Sequence, residues 1–189
     1  PLKEVLDYYM PRIKESGILE KLKLTDKGYF LISTHREENV DNQDNLIKIL
    51  AVLNKLAEDY KLPIIVSTHP RTTKRLKGIY NLKINTLIRF LKPFGFLDYI
   101  KLQMHAFCTI SDSGTISEES AILNFPAISI RQSMERPEAQ DSGTIILSGF
   151  DLQVLDNAIR ISTNEAENHH NKQIPIDYQI GDTSWRVLK

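Results

Sequence analysis

The sequence lacks several features that define other classes of protein. Its one cysteine, Cys108, lies in an apolar run; this excludes an internal disulfide and indicates a reducing compartment, so we expect a cytoplasmic protein. The 24 basic and 24 acidic residues balance, and we therefore expect neither nucleic acid nor an acidic membrane surface as a partner. No apolar run approaches the length that crosses a membrane. The histidines are not at ligand spacing on one predicted element, so no metal site is expected.

Short apolar runs alternate with helical patterns along the 189 residues. This alternation favours an α/β fold, in which a doubly wound, Rossmann-like parallel sheet is covered by helices on both faces. We expect one domain over residues 1–163, followed at 164–189 by a polar tail that leads into a truncated helix. Strands are predicted at 29–33, 63–67, 87–91, 107–110, 127–130 and 144–147. Helices are predicted at 2–10 (interrupted by Pro11), 18–22, 71–77, 97–104, 115–123 and 152–161, with a loop or frayed end after Thr163. A further long helix is predicted to end at Tyr60, and Asp41 or Asn42 can provide its N-cap.

The stretch from 108 to 143 has the pattern of a strand, a small polar turn and a helix. The turn, Ser111-Asp112-Ser113-Gly114, precedes a helical pattern that begins near Thr115. Backbone N–H groups of such a turn and the positive end of the helix dipole can converge on an anion, which predicts a phosphate site. The alternative is an ordinary strand–helix crossover, in which Thr115 and Glu118 form a capping box. The pattern alone does not decide between the two.

Two histidines favour the first interpretation. The first two predicted strands both end in Ser-Thr-His, and this places His35 and His69 at the same sheet edge as Ser113 and Gly114. Ligands bind at that edge in open α/β sheets. The predicted strand at 127–130 delivers the segment 134–138, which contains Arg136, to the same edge. We therefore expect a binding site there, while an exposed ion pair between Arg136 and Glu138 remains the alternative for that segment.

Four segments carry a resemblance to a known family. In order and spacing they resemble the carboxy-terminal domain of the non-hydrolysing UDP-N-acetylglucosamine 2-epimerases. The sequences of three segments are most similar to the branch that makes UDP-N-acetyl-L-fucosamine for bacterial capsule and O-antigen synthesis: STHREENVDN, FLKPFGFLDYIKLQ and SDSGTISEES. The segments are HREEN at 35–39, SDSG at 111–114, Glu118-Glu119 and ERPE at 135–138.

The resemblance implies an isomerase with two Rossmann-like domains in the glycosyltransferase-B-type arrangement. It implies elimination of UDP across C1–C2, rotation of the glycal intermediate and re-addition of UDP, without a metal or another cofactor. Its implied partners are a UDP-sugar, an amino-terminal domain of the same protein that these residues do not include, and a second copy in a homodimer. The chain alone is expected to be inactive, since the family's catalytic carboxylates lie in the other domain.

Particular residues match the motifs of the family. The resemblance implies that Ser113 and Gly114 bind the diphosphate and that Glu119 accepts hydrogen bonds from the ribose hydroxyls. His35 matches the catalytic histidine beside the diphosphate, and Tyr99 occupies the position near the uracil where the family often has Phe. Three further residues match positions that support the site or bind a second, activating UDP-N-acetylglucosamine: Arg36, His69 and Arg136.

Two other classes of protein remain open. A glycosyltransferase of the same architecture would also bind a UDP-sugar in its second domain. Retaining members of that class commonly carry two glutamates in an E-x7-E relation, and no two glutamates of this sequence stand in it. The other alternative is a non-catalytic nucleotide-binding module, in which this unit acts alone as a sensor or scaffold.

Overall fold

The computed structural model describes residues 2–34, 42–78, 84–131, 145–167, 174–181 and 183–188, and elements are numbered along them. The strands are β1 Phe30–Ser33, β2 Ile64–Ser67, β3 Ile88–Leu91, β4 Cys108–Ser111, β5 Ala127–Ser129 and β6 Ile146–Leu147. The helices are α1 Leu2–Glu15, α2 Ile18–Leu22, α3 Gln43–Tyr60, α4 Pro70–Lys77, α5 Phe96–His105, α6 Ile116–Leu123, α7 Leu152–Glu167, α8 Ile176–Gln179 and α9 Thr183–Leu188.

The six strands form one parallel sheet in the order β3-β2-β1-β4-β5-β6. This order is that of the doubly wound Rossmann fold, and it confirms the predicted fold class. The chain moves outwards from β1 to β3 and then returns to place β4 on the other side of β1. The crevice between the carboxyl ends of β1 and β4 is therefore the topological switch point, where ligands bind in folds of this kind.

Helices cover both faces of the sheet. Alternate side chains of a strand point to opposite faces, so Phe30 and Ile32 join a large apolar cluster with α3, α4 and α7. Leu31 lies between them in sequence and packs into a second cluster with α2 and α5. Smaller clusters attach α6 and α8 to β5, and α1 to α5. All four residues of β1, β2 and β4 are buried, as expected for a parallel sheet.

Helix α3 begins as its sequence predicts. The side-chain oxygen of Asn42 accepts hydrogen bonds from the backbone N–H groups of Asp44 (2.8 Å) and Asn45 (3.4 Å). This N-cap satisfies donors that have no partner within the helix. The other predicted cap residue, Asp41, lies outside the described residues. The helix ends at Tyr60, and Lys61 follows in the left-handed conformation with φ 53°.

Helix α1 does not stop at Pro11, so the predicted interruption is wrong. The helix continues to Glu15. Leu6 and Ile13, on either side of the proline, are both fully buried and belong to one cluster with Ile100. Pro11 itself is exposed, so water can reach the backbone groups that its ring leaves without a helical hydrogen bond. Packing of the apolar face therefore outweighs the local preference of proline.

The described residues near the carboxy terminus also differ from the prediction. Helix α7 runs to Glu167, whereas the sequence predicts a helix to 161 and a loop or frayed end after Thr163. Ser162 is buried, and the Thr163 hydroxyl donates to the carbonyl of Ile159 at 2.8 Å. Tyr178 of α8 packs against the β5 side of the core. Helix α7 thus crosses the expected domain boundary without a break, and the division at residue 163 stays a prediction.

Candidate functional site

The switch-point crevice is lined by small hydroxyl side chains. Ser33 at the end of β1 is paired in register with Ser67 of β2 and Ser111 of β4, and Ser111 is paired with Ser129 of β5. Four neighbouring strands therefore end in a row of buried serines. A row of small side chains at the carboxyl edge leaves the backbone there accessible to a ligand.

The predicted phosphate turn follows β4 directly. The Asp112 N–H donates to the Ser33 carbonyl at 3.2 Å, which continues the pairing of β1 and β4 into the turn. The Ser113 N–H donates to Ser111 Oγ at 3.1 Å, and the Thr115 N–H donates to Ser113 Oγ at 3.3 Å. Ser113 and Gly114 are partly exposed, and α6 begins two residues later. The turn therefore lies at the positive end of a helix dipole, as the sequence predicts.

Glu119 of α6 is tied to this turn by a short chain of hydrogen bonds. Its Oε1 accepts from the Thr115 hydroxyl at 2.8 Å, and that hydroxyl lies 3.0 Å from Ser113 Oγ. The second oxygen, Oε2, accepts from Gln103 Nε2 at 2.6 Å. Burial raises the pKa of the Glu119 carboxyl, and the hydrogen bonds from Gln103 and Thr115 oppose the rise.

The capping box between Thr115 and Glu118, which was the alternative interpretation of this turn, does not form at the start of α6. Thr115 is the N-cap residue, but it has helical φ and ψ and its side chain makes no capping hydrogen bond. A capping box needs a threonine with extended backbone geometry whose hydroxyl accepts from the first turn. The Thr115 hydroxyl instead donates to the Glu119 carboxylate.

Tyr99 of α5 lies over the ends of β1 and β4. Its ring packs against the cluster that contains Leu31, and its side chain forms hydrogen bonds with Ser33 and Ser111. The pKa of Tyr99 is raised to about 12; burial is the largest cause, the charge of Glu119 adds to the rise, and the interactions with Ser33 and Ser111 oppose it. Tyr99 lies one turn of α5 before Gln103, whose amide contacts Glu119. The structure thus brings both predicted uridine-contact residues to the crevice.

Of the remaining predicted site residues, the structure describes His69. His69 is exposed immediately after β2, one strand beyond β1 from the phosphate turn. Its carbonyl accepts the Thr73 N–H at 3.1 Å, and it precedes α4. His35, Arg36 and Arg136 lie outside the described residues.

Gln103 is a site residue that the sequence did not indicate. It lies on α5, four residues after Tyr99, and is fully buried. A glutamine one helical turn from a predicted contact residue, within the apolar pattern of FLDYIKLQMH, is the signal that could have identified it. Its amide makes the 2.6 Å contact with Glu119, so it belongs to the site through that carboxylate.

Within the described ranges, no group of three or more histidine, cysteine, aspartate or glutamate side chains could hold a metal ion. The same part of the chain contains no helix of the length and apolar character that would cross a membrane.

Fold and site together define a Rossmann-like unit with a small polar turn and a helix N-terminus at its switch point. The sequence model of a family described as UDP-N-acetylglucosamine 2-epimerase matches residues 1–189. The chain therefore belongs to the UDP-N-acetylglucosamine 2-epimerase family.

Individual relatives agree with this membership. A UDP-N-acetylglucosamine 2-epimerase of Methanocaldococcus jannaschii is 40% identical over 149 residues, which are 77% of this chain and 41% of that protein. The structure of UDP-N-acetylglucosamine 2-epimerase from Rickettsia bellii superposes with a TM-score of 0.85 at 48% identity, over 94% of this chain and 47% of that one. The Methanocaldococcus enzyme in complex with UDP-GlcNAc and UDP superposes with a TM-score of 0.75 at 34% identity, over 86% of this chain and 46% of that one. The chain thus spans less than half the length of these relatives.

Proposed function

We propose that this chain is the UDP-binding half of an isomerase that inverts C2 of a UDP-N-acetylhexosamine. The observation that carries the proposal is the hydrogen-bonded connection from Ser113 through Thr115 to Glu119 at the switch point. It puts the turn after β4 and a carboxylate on the same helix terminus, where one ligand can contact the turn with a phosphate and Glu119 with a sugar hydroxyl. A relative 34% identical to this chain has been solved in complex with UDP-GlcNAc and UDP, which supports the choice of nucleotide.

The proposed contacts divide the nucleotide into three parts. The diphosphate lies at Ser113 and Gly114, where backbone N–H groups and the dipole of α6 favour negative charge. The ribose hydroxyls donate to Glu119, and the uracil lies near Tyr99. His35 acts beside the diphosphate as the catalytic residue of this half, a role that rests on its sequence motif. A departing diphosphate needs donors and positive charge in the transition state, and this half supplies mainly those.

The proposed reaction eliminates UDP across C1–C2 of the sugar and adds it back after the glycal intermediate has turned. Removal of the weakly acidic C2 proton needs a positioned base, an acid and a cleft that excludes water. We assign those groups to a second Rossmann-like domain of the same protein, in a glycosyltransferase-B-type arrangement that dimerises. The length of the relatives, more than twice the matched region in each case, supports this assignment.

The finer assignment concerns the substrate and its control. We place the protein in the cytoplasmic synthesis of UDP-N-acetyl-L-fucosamine for bacterial surface polysaccharide, on the sequences of the segments at 33–42, 90–103 and 111–120. Arg36 and His69 are the residues that would hold a second, activating UDP-N-acetylglucosamine. Arg136 shapes the nucleotide site from the segment after β5.

Hydrogen exchange at C2 tests the proposed reaction. A longer form of the protein that includes the second domain should incorporate deuterium at C2 when it is incubated in heavy water with UDP-N-acetylglucosamine or its L-6-deoxy analogues, as seen by proton NMR. Residues 1–189 alone should not, because they provide one wall of the cleft. Exchange by residues 1–189 alone would place the catalytic base in this half. Failure of the longer form with every one of these sugars would overturn the proposed reaction.

A further inference from the structure

Gln103 is a buried polar residue whose hydrogen bonding is only half complete. Its amide nitrogen donates to Glu119 Oε2 at 2.6 Å. Its carbonyl oxygen, Oε1, is also buried and has no hydrogen-bond partner in the described part of the chain. Leaving a buried acceptor unpaired costs free energy, so such an atom in a native protein calls for an explanation.

The orientation of the amide supplies that explanation. If the amide were turned over, Oε1 would face Glu119 Oε2 at hydrogen-bond distance, and two acceptors would repel each other. The ionised carboxylate therefore selects the orientation in which the NH2 group faces it and the carbonyl is left without a partner. The hydrogen bond from the Gln103 amide to the charged Glu119 carboxylate thus outweighs the cost of leaving the Gln103 carbonyl oxygen unpaired.

The donors on Glu119 come from opposite sides. Gln103 is on α5 and holds Oε2, while Thr115 is at the start of α6 and holds Oε1. Two hydrogen bonds from different elements fix both the position and the rotation of a carboxylate, which one bond would leave free to turn. Thr115 is exposed, whereas Gln103 is fully buried and held by packing, so Gln103 is the rigid one of the two supports.

We propose that Gln103 is a positioning residue, which holds the Glu119 carboxylate ionised and correctly oriented to accept the ribose hydroxyls of a uridine nucleotide. This inference rests on the proposed function, because it takes Glu119 as the ribose contact. Gln103 itself does not touch the nucleotide. Its effect is therefore specific to ligands that carry ribose hydroxyls, and it is absent for ligands that present only the diphosphate and the base.

Calorimetric titration with UDP and with 2′,3′-dideoxy-UDP tests the proposal. Gln103→Met keeps the volume of the side chain and removes the donor, so it should weaken UDP binding about tenfold, the loss expected for one hydrogen bond to a charged group. Binding of dideoxy-UDP should stay close to the wild-type value. The melting temperature at neutral pH should fall only slightly, because the loss of the donor to Glu119 Oε2 is partly offset by removal of the unpaired oxygen of Gln103. The matched control is Gln153→Met, an exposed residue of α7 in the other helical layer, which should alter neither affinity.

Gln103→Glu provides a second test, by pH, that does not depend on the methionine variant being well folded. At low pH a proton shared by the introduced carboxyl and Glu119 replaces the amide donor. At higher pH that proton is lost and the two carboxylates repel each other, so the preference for UDP over dideoxy-UDP should fall as pH rises. In the wild type the preference should rise with pH as Glu119 ionises. Both ligands carry the same diphosphate, so the effect of phosphate ionisation cancels in the ratio of their affinities. The charged or titratable neighbours are also the same in both proteins: Tyr99, Asp112 and Glu118.

The outcomes separate this inference from the proposed function. If the wild type binds UDP and Gln103→Met binds it equally well, Gln103 has no positioning role. If the variant loses affinity for both ligands equally and melts earlier, Gln103 is a packing residue and the inference is wrong. If the wild type itself does not bind UDP, the proposed nucleotide is wrong and the inference fails with it.

Discussion

At the scale of the residue, opposing effects act on Glu119. Burial makes its ionised form less favourable and raises its pKa, while hydrogen bonds from Gln103 and Thr115 stabilise the ionised form. The pKa remains raised, so burial is the larger effect. A buried carboxylate that is ionised makes folding less favourable at neutral pH. In the proposed function, the same carboxylate is a strong hydrogen-bond acceptor for the ribose hydroxyls.

The variant Glu119→Gln tests whether the ionised Glu119 carboxylate lowers the stability of the folded protein. A carboxyl group with a raised pKa in the folded state contributes stability below its ordinary value of about 4.3, and this stability is lost as pH rises through the folded-state value. The Glu119→Gln side chain does not ionise, so the variant does not lose stability in this way. Its new amide can also pair with Gln103 Oε1. Its free energy of unfolding relative to wild type should therefore increase between about pH 4 and 7. Urea unfolding at both pH values measures this, with Glu58→Gln, a change at an exposed glutamate of α3, as the control. A relative stability that falls as pH rises would contradict the account.

The site residues that could be predicted from sequence are those that belong to a motif. Ser113, Gly114 and Glu119 lie in one continuous stretch, so their spacing along the chain fixes their spacing on the turn and helix. Gln103 could not be predicted in the same way, because its contact with Glu119 joins α5 to α6. That contact depends on how two helices pack, and a single sequence carries little information about such a distance.

At the scale of the element, local capping chemistry and tertiary packing each decide some boundaries. Asn42 starts α3 as predicted, because its side chain satisfies backbone donors whatever surrounds it. Pro11 does not end α1, because the apolar residues Leu6 and Ile13 on either side of it are buried in the core. Helix α7 likewise continues past Thr163 to Glu167, and the Thr163 hydroxyl donates to the Ile159 carbonyl within the helix. Boundaries set by packing therefore differ from those that the local sequence favours.

Removal of the α3 cap gives a quantitative test at this scale. Asn42→Ala leaves the N–H groups of Asp44 and Asn45 without their side-chain acceptor, so it should lower the free energy of unfolding by about 1 kcal/mol. Asn42→Asp retains the acceptor and adds a negative charge at the helix N-terminus, so it should be at least as stable as wild type. Chemical denaturation of the three proteins measures both effects. Equal stability of the alanine variant and the wild type would mean that the cap contributes nothing.

At the scale of the whole molecule, the alternation of strands and helices was sufficient to predict the fold class. Right-handed crossovers leave few ways to arrange six parallel strands, and the observed order is the Rossmann one. The order also places Ser33 beside Ser111, at the crevice where we propose that the nucleotide binds. A second candidate for ligand binding lies elsewhere: a groove of about 520 Å³ between α3 and α7, lined by Lys55, Tyr60 and Arg160 among others.

Amide chemical shifts measured during a UDP titration test the central claim most directly, because they locate the nucleotide on the molecule. In 15N-labelled protein we expect the largest changes at the backbone amides of Ser113, Gly114 and Thr115 and at the side-chain NH2 of Gln103. The amides of Lys55 and Arg160, in the groove between α3 and α7, should not move. Changes concentrated in that groove, or no change at the turn after β4 at a saturating concentration of UDP, would contradict the assignment of this chain as a UDP-binding half.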